Sequence, residues 1–148
     1  MVLYSGGQEK RNSSIHESLL ELALRRPSRK QRNTKQRRDI RMSYIPFIEE
    51  GAKPYYQRFV RRYRSFGATH FECVPADRPE LMTKGAARRR AERTLLESDI
   101  IYLSGGNTFT FLHHVRRSGL LRVLDRFARR GGVLAGVGSA GACPPRGP

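Results

Sequence analysis

The chain has 148 residues, of which 38% are hydrophobic, which is enough for one domain with its own core but leaves little room for a second. No apolar run approaches the length that a membrane-spanning helix needs, and the first residues lack the pattern of a secretory signal. Cys73 and Cys143 form no C-x-x-C pair, so no disulfide framework is expected. We therefore expect a cytoplasmic protein with no membrane partner.

The formal net charge is +16, and half of it lies in one segment. Residues 25–41, RRPSRKQRNTKQRRDIR, hold nine Lys/Arg and one acid, a net charge of +8. Such a block attracts phosphate backbones and other polyanions without sequence preference. It contains no aromatic side chain that could stack on a base. Two interpretations stay open, a solvated basic loop and a site of weak polyanion binding.

Apolar segments alternate with helical patterns along the chain, which predicts an α/β fold with a mostly parallel sheet. Residues 2–4 predict a first strand. The spacing of Ser14 and Glu17 is that of a capping box and predicts a helix over about 14–26. Residues 42–46 predict the second strand. A second helix is predicted next, and Gly67 can end it with a left-handed cap. One side of this helix is an apolar stripe that is expected to pack in the core, formed by Tyr55, Tyr56, Phe59, Val60 and Tyr63.

The second half of the chain continues the alternation. Residues 69–75 predict a third strand and 85–98 a helix with a basic, solvated outer face. Residues 99–109 predict the next strand and its exit turn. Two helices separated at Ser118-Gly119 follow, and a last strand begins at Val133. The pattern contains no internal repeat.

The exit turn SGGNTF, residues 104–109, is the first segment with chemical potential. Its two glycines let the backbone turn sharply and leave amide hydrogens pointing outward. The helix predicted just afterwards adds its positive end, so the turn can stabilise an anion. The letters Gly-Gly-Asn also make an ordinary turn, and both interpretations stay open on local grounds.

The second such segment is GVGSAGA, residues 136–142, where the last predicted strand leads into Ser139. A nucleophile elbow needs small neighbours because its serine sits in a strained turn between strand and helix. Gly138, Ala140 and Gly141 meet that need, whereas Val137 stands where a glycine is usual. A flexible glycine-rich tail is the alternative.

Taken together, SGGNTF, two amphipathic helices, RGGVLAG and SAGA resemble the dipeptidase E and cyanophycinase group of serine peptidases, family S51. The resemblance is strongest from Ile100 to Ala142, and SYIPF on an earlier strand also fits. It implies the class I glutamine amidotransferase-like, flavodoxin-like fold, a three-layer α/β/α sandwich with a mostly parallel sheet. On this basis residues 1–148 form a single domain, the N-terminal portion of the family's domain, incomplete at its C-terminus and carrying a basic loop at 25–41.

The resemblance also implies the site residues. Ser139 matches the nucleophile, and Gly106 and Ala140 match the positions whose backbone amides form the oxyanion hole. Gly105 and Asn107 match residues that shape the pocket. The implied reaction is the hydrolysis of a small or aspartyl peptide, since relatives cleave dipeptides with an N-terminal aspartate or the polymer cyanophycin. No metal or organic cofactor is implied.

The end of the chain departs from the family pattern. Members read G-x-S-A-G, whereas this chain reads GVGSAG, and after Ala142 the letters CPPRGP do not match. The family's catalytic histidine and acid lie downstream of the serine, so we expect weak or no turnover, with a reading-frame shift as one hypothesis for residues 143–148. Surface or packing roles are expected for the four histidines, His16, His70, His113 and His114.

A rival hypothesis from another class is a catalytically dead protein that binds nucleic acid or another polyanion through Arg25–Arg41. The absence of the family's later strands would leave a sheet edge uncovered, which favours aggregation or a partner, with a homodimer as one alternative. A small peptide substrate is the partner implied by the resemblance.

Overall fold

Five strands and six helices alternate along the chain in a computed structural model that describes residues 2–5, 12–25 and 39–138. The strands are β1 Val2–Ser5, β2 Arg41–Ile45, β3 His70–Cys73, β4 Ile100–Leu103 and β5 Val133–Gly138. The helices are α1 Ser13–Leu24, α2 Ala52–Ser65, α3 Pro79–Met82, α4 Ala86–Glu97, α5 Thr108–Arg117 and α6 Leu120–Arg129. Residues 26–38 of the basic segment and residues 139–148 lie outside the described residues.

The strands form one parallel sheet in the order β1-β5-β4-β2-β3. Two connections, β1 to β2 and β2 to β3, run towards the β3 edge, and the next two run back towards the β1 edge. A single handedness of crossover requires that connections running in opposite directions lie on opposite faces. The helices obey this rule, because α1 and α2 pack on one face and α3 to α6 on the other.

Strands β2, β4 and β5 are covered on both faces, and their alternate residues enter different cores. On β4, Ile100 and Tyr102 face α1 and α2, whereas Ile101 faces the other helical layer. Met42 and Tyr44 of β2 follow the same alternation. The three-layer α/β/α architecture with a parallel sheet, predicted from the sequence, is confirmed. The extent of the domain as residues 1–148 stays a prediction.

Two local predictions concern helix ends, and only one is confirmed. Beyond α2, Gly67 has φ +100°, and the amides of Gly67 and Ala68 donate to the carbonyls of Arg64 and Tyr63, both at 3.0 Å. This pattern of two bonds is the Schellman motif that a left-handed glycine allows. The predicted capping box at Ser14 is wrong, because the carbonyl of Asn12 already accepts from the amides of the first turn and α1 has begun before Ser14.

Candidate active site

The carboxyl ends of β2 and β4 meet where the sheet changes winding direction. The two strands are neighbours, with Ile45 opposite Leu103, yet β2 leads into α2 on one face and β4 into α5 on the other. Diverging connections leave a crevice between the two loops, which is where open α/β sheets bind ligands. The fold therefore places the SGGNTF turn at this crevice.

A cleft of about 550 Å³ occupies this position. Its floor is aromatic, since the rings of Tyr44 and Tyr102 stack with centroids 5.8 Å apart and Phe59 lies within 5.1 Å of both. Residues of the β2–α2 loop, the first half of α2 and the β4–α5 turn form its walls. The charged groups on the lining are Glu50, Arg58 and Arg62.

The turn after β4 is held at both ends. The Ser104 amide donates to the Ile45 carbonyl at 3.0 Å, which continues the β2–β4 pairing past the strand. At the other end the Asn107 side chain caps α5, its Oδ1 accepting from the amides of Phe109 at 3.0 Å and Thr110 at 3.3 Å. Asn107 is a good cap because its short side chain reaches back to these amides.

Between these two anchors, the amides of Gly105 and Gly106 have no acceptor within the described part of the chain. Both residues are exposed and line the cleft. Gly106 has φ +149°, a conformation that residues with a Cβ rarely adopt. These donors lie just before the N-terminus of α5, where its dipole favours negative charge. The turn can thus bind an anion or a developing oxyanion.

Phe47 lies directly against Gly106. A Cβ built on Gly106 would fall 2.5 Å from Phe47 Cγ and within 2.9 Å of its Cβ, so only glycine leaves room for this ring. The loop that carries Phe47 is tied to the loop after β3, because both carboxylate oxygens of Asp77 accept from the Glu49 amide, at 3.1 and 2.9 Å. Arg78 Nε donates in turn to Glu49 Oε1 at 2.8 Å.

Two hydroxyls lie at the base of the cleft near the turn. Burial raises the pKa of Tyr44, and the neighbouring Ser104 hydroxyl offsets part of that rise. The Ser104 oxygen is buried, but among the described residues no partner meets it with hydrogen-bond geometry. Tyr44 therefore stays a neutral phenol near neutral pH, beside the glycine turn.

The predicted nucleophile and its neighbour, Ser139 and Ala140, lie outside the described residues. The described part of β5 ends at Gly138, and its register sets Gly136 opposite Leu103 of β4. The carboxyl ends of both strands thus lie at the same edge of the sheet. The roles assigned to Ser139, Ala140, Gly105, Gly106 and Asn107 stay predictions.

None of the four histidines lines the cleft. His16 is 1% exposed, and its Nδ1 lies 2.9 Å from the Tyr63 hydroxyl oxygen. His70 Nδ1 lies 2.9 Å from the Thr69 hydroxyl at the exposed start of β3. His113 and His114 stack edge to face on α5, with centroids 5.6 Å apart. His16 therefore has a packing role, as the sequence predicted.

Three cleft residues escaped the sequence-based prediction. Tyr55 was expected to pack in the core, but it is 61% exposed and lines the cleft. The Arg58 guanidinium lies over its ring, with Cζ 5.5 Å from the centroid. Arg62 lies one turn further along the same side of α2. Positions 55, 58 and 62 have the spacing of residues on one side of a helix. This spacing was the signal in the sequence that could have grouped the three residues at one site.

Other kinds of site find no support in residues 2–5, 12–25 and 39–138. No group of three or more His, Cys, Asp or Glu side chains there could hold a metal ion. None of the helices described combines the length and apolar character needed to cross a bilayer. Most of the basic segment falls in the gap at 26–38, so the polyanion alternative stays a prediction.

Comparison with known proteins agrees with the architecture. The family model described as "Peptidase family S51" matches residues 1–144. An "Uncharacterized peptidase YgaJ" from Bacillus subtilis (strain 168) is 26% identical over 111 residues, which are 75% of this chain and 45% of that protein. The chain thus spans less than half the length of this relative. With the family model covering nearly all of its residues, the chain belongs to peptidase family S51.

Proposed function

We propose that the chain is a serine-type peptidase module, similar to dipeptidase E, in which Ser139 attacks the carbonyl carbon of a small or aspartyl peptide. The observation that carries this proposal is the glycine turn at the switch-point cleft, whose Gly105 and Gly106 amides find no acceptor in the described residues. Family membership supports the hydrolase class, and the register of β4 and β5 supports the approach of Ser139 to the turn.

The proposed reaction proceeds through an acyl-enzyme. The Ser139 oxygen bonds to the peptide carbonyl carbon, and the carbonyl oxygen becomes an oxyanion that accepts from the amides of Gly106 and Ala140. The C–N bond then breaks, the serine proton passes through a base to the leaving amine, and water hydrolyses the ester. Fixed backbone donors suit the oxyanion because they need no reorganisation, and losing one typically costs about 100-fold or more in rate.

The base is not assigned to any described residue. The resemblance implies that the family's catalytic histidine and acid follow the serine. They would lie after Ala142, where this chain no longer matches the family pattern. Without a base a serine hydroxyl is a weak nucleophile near neutral pH. We therefore expect slow acylation and weak turnover from these 148 residues. Full peptidase activity is proposed only for a protein that also carries the histidine and the acid.

Arg58 and Arg62 support an acidic substrate. Both lie on the cleft wall formed by α2, a helix that contains five Lys/Arg and no acid in its sequence AKPYYQRFVRRYRS. The positive potential of this wall favours a peptide carboxylate, and a guanidinium can bind one with two parallel hydrogen bonds. Glu50 on the same lining would oppose a second acidic group.

Covalent labelling tests the nucleophile without requiring turnover. The folded chain is incubated with a fluorophosphonate, and the adduct is located by intact mass and peptide mapping. We expect slow, single-site modification of Ser139 that disappears in Ser139→Ala and persists in Ser14→Ala, a matched change at an exposed serine of α1. Modification of other serines only, or none at all in folded protein, would contradict the proposal.

A further inference from the structure

The Phe47 side chain lies directly against the Gly106 backbone. Three ring and stem atoms of Phe47, namely Cγ, Cδ2 and Cβ, occupy the space where any other residue at 106 would carry its Cβ. The ring therefore fills the side of the glycine turn that would otherwise be open. Gly106, with φ +149°, lacks the Cβ that limits the backbone of other residues. A rigid ring packed against it therefore restricts its backbone conformation strongly.

The hydrogen bonds at the two ends of the turn do not fix the Gly106 amide itself. The Ser104 amide is fixed by Ile45, and Asn107 is fixed by its capping bonds. No hydrogen bond of the described residues engages the amides of Gly105 or Gly106 themselves. Among the residues that the structure describes, packing from the β2–α2 loop is thus what restrains the direction of the Gly106 N–H.

The loop that carries Phe47 is itself restrained. Asp77 accepts two hydrogen bonds from the Glu49 amide, and Arg78 binds the Glu49 carboxylate. On the far side, the Ala52 amide donates to the Glu49 carbonyl at 3.0 Å as α2 begins. Hydrogen bonding to Glu49 also raises the pKa of Arg78, so the guanidinium keeps its positive charge. A cross-loop clamp of Glu49, Asp77 and Arg78 therefore holds Phe47 in place.

We propose that Phe47 is a positioning residue that fixes the Gly106 amide in the orientation an oxyanion requires, and that the clamp of Glu49, Asp77 and Arg78 holds Phe47 in that position. This inference rests on the proposed function, because it assigns a purpose to the Gly106 donor. Phe47 acts through Gly106 and needs no contact with substrate. Oxyanion donors are effective only when they are preorganised, so loss of this packing weakens catalysis without removing a donor.

Backbone dynamics of the intact 148-residue chain test the positioning role independently of activity. In wild type we expect a Gly106 N–H order parameter of about 0.85, typical of rigid backbone, and in Phe47→Ala a fall below about 0.6. Phe47→Leu should keep the rigid value, since leucine retains the Cβ, Cγ and Cδ atoms that approach Gly106. Phe71→Ala, which removes another half-buried ring outside the cleft lining, should leave Gly106 unchanged.

Loosening the clamp gives a second, independent variant. Asp77→Ala removes both acceptors of the Glu49 amide while leaving Phe47 in the chain. We expect the Gly106 order parameter to fall in this variant as well, by less than in Phe47→Ala. An unchanged Gly106 order parameter in whichever of the two variants is folded would overturn the positioning role.

The labelling rate separates this inference from the proposed function. If Ser139 reacts with the fluorophosphonate, Phe47→Ala should slow its modification at least about tenfold, because the oxyanion hole stabilises this reaction too. Phe47→Leu should restore most of the rate. If wild-type Ser139 does not react, the proposed function fails, whereas the order parameters still decide whether Phe47 restrains Gly106.

Discussion

The Nδ1 atom of His16 lies 2.9 Å from the hydroxyl oxygen of Tyr63, and this contact joins α1 to α2 inside the core. Both side chains are at most 1% exposed, and their rings also meet edge to face with centroids 5.2 Å apart. The hydroxyl thus gives a buried polar ring a hydrogen-bond partner that solvent cannot replace.

Tyr63→Phe should therefore destabilise the fold although it keeps the ring. Removing one partner of a buried hydrogen bond costs about 1–3 kcal/mol in the free energy of unfolding. Urea unfolding followed by circular dichroism measures the change. Tyr56→Phe is the control, since Tyr56 is half-buried on the same helix, and it should stay within about 0.5 kcal/mol of wild type. Equal effects of the two variants would contradict a structural role for the His16 contact.

Gly119 should tolerate alanine less well than Gly131, although both have a left-handed backbone. Their φ values are +72° and +78°, so alanine brings a similar conformational cost of about 1–2 kcal/mol at either site. A Cβ on Gly131 meets nothing within 4 Å, whereas one on Gly119 would overlap the Arg88 guanidinium. Arg88 would then have to leave Glu92, to which its Nε donates at 3.3 Å.

The two glycine variants are compared by their midpoints of urea unfolding. We expect Gly119→Ala to lower the free energy of unfolding by about 1 kcal/mol more than Gly131→Ala, a difference of the size that loss of a partly buried contact produces. A Gly119→Ala variant as stable as Gly131→Ala would show that Arg88 relocates without cost.

Alkaline pH should destabilise the protein partly through Cys73. Burial raises the pKa of this thiol to about 11 from its ordinary 9.0, with Arg78 opposing the shift. The folded state therefore holds the proton more tightly than the unfolded state. The resulting stabilisation is complete below pH 9 and is lost as the pH rises through about 11.

Melting temperatures from pH 8 to pH 11 measure this loss in wild type and Cys73→Ala. The variant should lose less stability over that range, since the thiol no longer contributes to the proton balance. Tyr44 and Tyr56, whose pKa values are raised chiefly by burial, still titrate in both proteins. Parallel curves for wild type and variant would refute the assignment to Cys73.

Arg58→Ala should weaken the binding of an acidic peptide to the cleft. We expect the dissociation constant of Asp-Leu to rise about fivefold, the effect of losing roughly 1 kcal/mol from an exposed charge pair. The constant for Asn-Leu should barely change. Arg61→Ala is the matched control because Arg61 is exposed on the same helix but does not line the cleft. Chemical-shift titration measures both peptides, and equal losses for Asp-Leu and Asn-Leu would contradict charge recognition.

The basic segment at 25–41 should bind polyanions weakly. With a net charge of +8 and no aromatic residue, it can contact phosphates but cannot stack on bases. We expect binding of a single-stranded DNA oligomer at low salt to fall steeply as salt is added, measured by fluorescence anisotropy. Tight binding at physiological salt would revive the polyanion-binding alternative, whereas no binding at low salt would end it.

The sequence by itself determined the elements and their order. Period-2 and period-3.6 patterns located all five strands and five of the six helices, and Gly67 marked the end of α2 because few other residues adopt its conformation. The four-residue α3 was missed, since one turn is too short for a helical period to emerge. Residues 104–107 were correctly assigned to an exit turn, because two consecutive glycines allow the sharp bend between β4 and α5.

Only the tertiary structure decided what surrounds that turn. Strand order brings β2 beside β4 and sets Ile45 opposite Leu103, although the two residues lie far apart in the chain. No periodicity in the sequence reveals such a pairing.

The same holds for the cleft residues. Phe47 reaches Gly106 because the Asp77 clamp and the β2–β4 pairing bring two distant loops together. Tyr55 fits a buried stripe by spacing, but α2 centres its buried face on Ala52, Phe59 and Tyr63 and leaves Tyr55 at the cleft. Local patterns report which residues an element can bury, whereas the neighbours of each face depend on how the strands are ordered, which is a property of the whole packed chain.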